Sequence, residues 1–227
     1  ERMDPQFWIS RWAENRVGVH QTEANPCLTN YWKDMKADPS SRVFVPLCGK
    51  SEDMRWLHQQ GHRVLGLEVS PIAVASFYED HQMQATQQEN GEFTKWSSGG
   101  IEILCGDFFA LSGDDLGNVE AVYDRASLIS MPPEDRKKYA SKLTSLLSRG
   151  AQILLVTVAY PQDQMKGPPF AVEEEEIQTL YGASFDIQNC ETLDVLADHQ
   201  RFADRGVKEM TESVHILTRN SEPHSSC

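Results

Sequence analysis

The chain has 227 residues, a formal net charge of −13 and 40% hydrophobic residues. That length suits a single α/β domain with a full core, and the acidic balance argues against nucleic acid or an anionic membrane as partner, because phosphate surfaces demand clustered Lys and Arg. The five cysteines (Cys27, Cys48, Cys105, Cys190 and Cys227) form no CxxC pair and are odd in number, which fits free thiols in a reducing cytosol; with no signal peptide and no apolar run of spanning length visible, a cytoplasmic protein is expected.

Residues 5–15 (PQFWISRWAEN) read as a short helix with Phe7, Trp8 and Trp12 on one face. Gly18-Val19-His20-Gln21 breaks it, and Asn25-Pro26 opens a second amphipathic stretch through Tyr31 and Trp32. This block, about residues 4–35 by sequence pattern, is either a lid or an aromatic cap on a sheet edge. The first strand is expected over 42–47. A helix follows over 51–60 and ends at Gly61, and a second strand runs over 63–68. Ser70 and Pro71 are the N-cap and first-turn residues of the next helix.

Residues 93–96 and 101–104 are strand-like, joined by the hairpin signal Ser97-Ser98-Gly99-Gly100. A strand over 119–123 ends in Asp124-Arg125. A helix starts at Pro132-Pro133-Glu134 and runs to about Ser148 by its pattern. A β-branched strand covers 153–158. Beyond the Gly167-Pro168-Pro169-Phe170 link comes a helix over 173–182, whose glutamates sit near its positive end. Strands near 185–193 and 208–218 close the chain. Residues 1–220 form one domain in this reading, with 221–227 a disordered tail.

The order strand, tight turn, helix, strand, acid over 42–68 is how a doubly wound sheet builds half of a nucleoside site. Glu68 falls about twenty residues beyond the turn, where a carboxylate reaches both ribose hydroxyls. The turn holds one glycine, Gly49. It has neither GxGxxG for a dinucleotide nor GxxxxGK[ST] for a nucleoside triphosphate, since Phe44 stands where the first glycine of the latter belongs. S-adenosylmethionine carries no phosphate, and one glycine with one ribose acid suits it better. In a doubly wound sheet ligands bind beyond the carboxyl ends of strands; the polar residues there are Glu68, Asp107, Asp124 and Arg125. No metal site is expected, because Gly61 separates His58 from His62 and there is no HExxH. Cys48, within the turn, reads as packing beneath a ligand.

FVPLCGKS at 44–51, GLEVS at 66–70, YDRASL at 123–128 and GPPF at 167–170 resemble thiopurine S-methyltransferases. The resemblance spans about Phe7 to Arg219, and the N-terminal FWxxxW is similar to bacterial members of the family. It implies a class I S-adenosylmethionine-dependent methyltransferase fold, with a seven-stranded, mostly parallel sheet and helices on both faces. It implies S-adenosylmethionine as donor, S-adenosylhomocysteine as product, and a thiopurine or other aromatic or heterocyclic thiol as acceptor. Selenium and tellurium compounds are further acceptors it suggests, a detoxification role in a bacterium because methylation makes metalloids volatile.

By the same resemblance, Trp12 and Leu47 touch the cofactor, Glu68 takes the ribose hydroxyls, and Phe108 after Asp107 lies by the adenine. Arg125 lies near the methionine end and the acceptor, and Arg201 faces the acceptor. Val19 stands where many relatives carry a pocket aromatic, and His20 follows it as a substrate-pocket polar group or a capping residue. Arg125 and Arg201 are expected to stabilise a thiolate electrostatically, the alternative for Arg125 being an ion pair with Asp124 or Glu68. Trp8 and Trp12 are expected either to face a sulfonium by cation–π contact or to close the pocket. A nicotinamide oxidoreductase and a non-catalytic methyltransferase-like binding protein are the rival readings, and a monomer acting on a small molecule is the default.

Overall fold

The computed structural model describes residues 4–17 and 21–220. The expectations for Val19, His20 and the tail therefore lie outside the described residues. The chain divides into two compact units, one running up to Tyr123 and one starting at Asp124.

The first unit begins with α1 (Pro5–Ala13), whose cap is Asp4, accepting from the Gln6 amide, with Pro5 in the first turn. No residue of α1 is fully buried. Next come α2 (Pro26–Tyr31), capped by Asn25, and a 3-10 turn that buries Trp32. Trp32 donates from Nε1 to His62 Nε2 at 2.9 Å. The sheet then alternates with helices: β1 (Arg42–Val45), α3 (Glu52–Gln59), β2 (Arg63–Glu68) and α4 (Pro71–Asp80). It continues with β3 (Thr86–Asn90), β4 (Phe93–Ser98), β5 (Ile101–Cys105), α5 (Gly113–Leu116) and β6 (Val119–Asp124).

The strand order in this unit is β3-β4-β5-β2-β1-β6. β5, β2, β1 and β6 run parallel, in a register that puts Val43 beside Val64 and Ala121, and Gly66 beside Ile103. β3 and β4 join antiparallel at the outer side. Val43, Phe44, Leu65, Leu67 and Val122 are almost wholly buried. Such continuous apolar runs are what a parallel strand covered on both faces requires. Gly66 is glycine for a packing reason: a Cβ there would lie 2.8 Å from Cys48 Sγ and 2.9 Å from Met54 Sδ. Cys48 is thus a buried packing group, as its sequence position suggested.

The second unit holds α6 (Pro133–Leu146), β7 (Gln152–Ala159), α7 (Glu174–Tyr181), β8 (Phe185–Asp194), α8 (Gln200–Ala203) and β9 (Thr211–Arg219). β9 pairs antiparallel with β7 and with β8, and β8 carries a bulge at Cys190. Arg136 of α6 is 1% exposed and wholly satisfied. It donates to both Glu176 oxygens at 2.8 and 2.7 Å, to Met131 O and to Ala171 O. Its Nη1 meets both Glu176 oxygens and ties α6 to α7, and its Nη2 ties α6 to the segment after Gly167-Pro168-Pro169-Phe170. The glutamate run at the start of α7 therefore has partners as well as a dipole to meet, since Glu174 also pairs with His215.

The α/β class and the parallel centre match the sequence expectation. The strand count does not: the described residues contain nine strands, not seven. One of the additions, β3, reads TQQEN with every residue exposed, so no apolar alternation marked it.

Candidate functional site

The turn after β1 is built from two residues in the left-handed region, Leu47 at φ +46° and Gly49 at φ +53°. A branched side chain pays for that conformation, and such strain persists only where surrounding contacts fix it. Those contacts are visible. The Cys48 amide donates to Leu67 O at 2.9 Å, at the end of β2. The Gly49 amide donates to Glu68 Oε2 at 2.9 Å, and the Ser70 amide donates to Glu68 Oε1 at 2.9 Å. A Cβ on Gly49 would lie 3.0 Å from Trp12 Cζ2, so the α1 indole is laid against the turn.

Glu68 is 4% exposed. Burial pushes its carboxyl above the usual range, opposed by the amides of Ser70, Gly49 and Val69. The Gly49 amide takes Oε2 and the Ser70 amide takes Oε1, and since a carboxylate has about four lone-pair sites, acceptor capacity remains for ligand hydroxyls.

The floor continues at the end of β5. The Gly106 amide donates to Glu68 O at 3.0 Å. Asp107 caps a 3-10 turn, accepting from the Phe109 amide at 2.9 Å. Phe108 is buried and meets Phe109 edge to face. The structure thus brings Trp12, Leu47, Gly49, Glu68, Asp107 and Phe108 into one connected neighbourhood in the first unit. Trp8 lies on the same helix as Trp12 and packs edge-on against Phe7.

In the second unit, Asp124 is buried and spoken for. It accepts from Tyr139 OH at 2.6 Å, from the Ser127 amide at 3.0 Å and from the Leu128 amide at 3.3 Å. Burial raises its carboxyl, and those three donors together with the Ser127 hydroxyl oppose the rise. Arg125 follows it and makes no ion pair among the described residues. The alternative of an Asp124 partner is therefore not realised among the described residues, because that acid is engaged by Tyr139 and by its own turn. Arg201 stacks over Phe202 at 4.6 Å and is likewise without a carboxylate. Burial and the neighbouring Arg125 and Arg205 charges hold its guanidinium below the usual value. Among the described residues there is no cluster of His, Cys, Asp or Glu able to hold a metal, and no helix long and apolar enough to cross a membrane.

A profile of the thiopurine S-methyltransferase (TPMT) family matches residues 3–220. The chain belongs to the thiopurine S-methyltransferase family. A relative from Nitrosospira multiformis with that name is 45% identical over 215 residues, covering 95% of this chain and 98% of its own length. One from Pseudomonas putida is 42% identical, covering 96% of this chain and all of its own. Among solved structures, a SAM-dependent methyltransferase from Anabaena variabilis superposes with a TM-score of 0.65 at 14% identity, covering 97% of this chain and 98% of its own. A 1,6-didemethyltoxoflavin-N1-methyltransferase from Burkholderia thailandensis, solved with S-adenosylhomocysteine, gives 0.63 at 14% identity, covering 96% and 87%. These two likenesses fix the fold. Within it, the turn and acid of this thiopurine S-methyltransferase family member occupy consecutive parallel strands, as its motifs implied.

Reading the sequence did not mark Asp53, nor its pairing with Asn25 and Tyr123. All three are buried in the first unit. Asp53 looked like an ordinary first-turn acid of α3, and only its partner from 28 residues earlier gives it away. Tyr139 was equally silent, appearing as one aromatic on an amphipathic helix.

Proposed function

We propose that this protein transfers the methyl group of S-adenosylmethionine to the sulfur of a thiopurine or another aromatic or heterocyclic thiol, releasing S-adenosylhomocysteine. The observation that carries the reading is the Glu68 carboxylate, buried at the end of β2 and held by the Gly49 and Ser70 amides. Its remaining lone pairs suit a ribose diol, and the single-glycine turn leaves a nucleoside without phosphates as the natural fit. When bound, the donor supplies a methyl group on a sulfonium, open to in-line displacement.

The chain's own residues then have three tasks. Glu68 orients the nucleoside end. The Leu47–Gly49 turn, under the Trp12 ring, excludes water and brings the backbone close to the methionine end. Arg125 and Arg201, cations lacking a protein counter-charge among the described residues, stabilise an acceptor thiolate, which is far more nucleophilic than its thiol. Alignment of acceptor and donor supplies up to ~7–11 kcal/mol in well-oriented pairs, without a strong base.

The test is transfer of a labelled methyl group from S-adenosylmethionine to mercaptopurine by the purified protein. Labelled methylthiopurine is the expected product. A folded protein that transfers nothing to mercaptopurine or to thiophenols refutes the reading.

A further inference from the structure

A buried polar cluster in the first unit lies outside the residues just assigned. Asp53, in the first turn of α3, is 3% exposed. Its Oδ1 accepts from the Asn25 amide at 2.7 Å and its Oδ2 accepts from Tyr123 OH at 2.9 Å. Asn25 is itself buried; its Oδ1 accepts from the Cys27 amide at 2.8 Å, capping α2, and its Nδ2 donates to Gln21 Oε1 at 2.9 Å. The Asp53 amide donates to Ser51 Oγ, and the Ser51 amide donates to Cys48 O. One carboxylate therefore joins three pieces of chain: the N-terminal segment, the first turn of the helix that follows the strained Leu47–Gly49 turn, and the last apolar residue of β6.

Burying a carboxylate is expensive unless its oxygens are met by donors. An apolar residue would pack this spot without that cost. The cluster persists here because it does something packing cannot, namely fix the direction of three segments at once. Two of those segments lead to the site: Cys48 is in the turn, and Tyr123 immediately precedes Asp124-Arg125.

We propose that Asp53 is a positioning residue for methyl transfer, clamping the N-terminal segment and the end of β6 onto the cofactor turn through Asn25 and Tyr123. The proposal rests on the methyltransferase reading above. It acts through the turn, so it governs how tightly the nucleoside is held more than the chemical step.

The experiment compares wild type, D53A, D53N and Y123F. Each variant is checked for folding by circular dichroism at 25 °C. S-adenosylhomocysteine affinity is read by calorimetry, and kcat and KM for S-adenosylmethionine are read with mercaptopurine as acceptor. D53A is expected to weaken S-adenosylhomocysteine binding and raise KM at least tenfold, while kcat changes less than threefold. D53N keeps an oxygen for the Asn25 amide and an amide that can donate to the Tyr123 oxygen, so it is expected to stay within threefold of wild type in both. Y123F, which removes one donor and keeps the ring, is expected to lose three- to tenfold and serves as the readout if D53A does not fold. Folded D53A and Y123F that lose thermal stability but keep wild-type affinity and KM overturn the proposal. A wild-type protein that fails to bind S-adenosylhomocysteine overturns the methyltransferase reading itself, and the positioning role with it.

Discussion

Glu68 and Asp124 each end a parallel strand, each is buried, and burial raises the carboxyl of both. They are satisfied in different ways. Glu68 is met by backbone amides, Gly49 on Oε2 and Ser70 on Oε1, and keeps acceptor capacity in reserve. Asp124 accepts a tyrosine hydroxyl and two amides in a closed turn. The first arrangement leaves an acid able to accept from a ligand. The second holds a piece of backbone still while the next residue, Arg125, makes no ion pair among the described residues. A buried acid beside an arginine would ordinarily be its ion-pair partner; here the tyrosine takes that place.

If this division of labour is right, substitutions at the two ends must differ in kind. R125A removes a charge that acts on the acceptor anion, and a loss of about 10²–10³-fold in kcat is expected by analogy with other preorganised charges. Rates measured at saturating S-adenosylmethionine check it, and a fall in cofactor affinity instead of kcat would place Arg125 with Glu68. E68A is expected to weaken S-adenosylhomocysteine binding by ~1–3 kcal/mol, about 5- to 150-fold, through unpaired ribose hydroxyls. Calorimetry reads this directly, and unchanged affinity would move the nucleoside elsewhere.

Y139F is expected to cost ~1–3 kcal/mol in urea unfolding, because the buried Asp124 loses its hydroxyl donor, with a smaller effect on cofactor affinity than E68A. G49A forces a Cβ into the left-handed region, at ~1–2 kcal/mol, and against Trp12. Weaker S-adenosylhomocysteine binding and a changed indole fluorescence are expected; an unaltered spectrum would detach Trp12 from the turn.

The smallest effect is on pH. Glu68 must be ionised to accept two hydroxyls, and its carboxyl sits above the ordinary 4.5. Cofactor affinity should therefore start to fall at a higher pH than for an exposed glutamate as acid is added, and E68Q should flatten the profile. The stability sign is opposite. The native carboxyl binds its proton more tightly than the unfolded chain, so its contribution is full below 4.5 and lost as pH rises through the native value.

What the sequence made legible was whatever writes itself in local chemistry. Ser70 and Pro71 open α4 as their types demand, and the apolar runs at 43–45 and 64–67 are the buried strands. The turn with its glycine and the acid at 68 were readable because their spacing along the chain matches their contact in space. Asp53 was not readable, because its meaning comes from a partner far away in sequence. Asp124 was visible as a polar strand end, with a salt bridge to the adjacent arginine as the alternative reading; its partner, a helix tyrosine 15 residues on, was not visible. β3 escaped for a third reason, since a strand with no buried side leaves no periodic mark.

That last strand has a consequence for the protein at high concentration. β3 is the outermost strand of its unit, and its free edge presents backbone groups to the solvent. An incoming chain that paired there would gain hydrogen bonds but bury no apolar side chain, since Thr86, Gln87, Gln88, Glu89 and Asn90 are all exposed. It would also have to lie beside the Glu89 charge. A short, polar, charged border of this kind discourages edge-to-edge growth, so the sheet ends in a strand that offers aggregation nothing to build on.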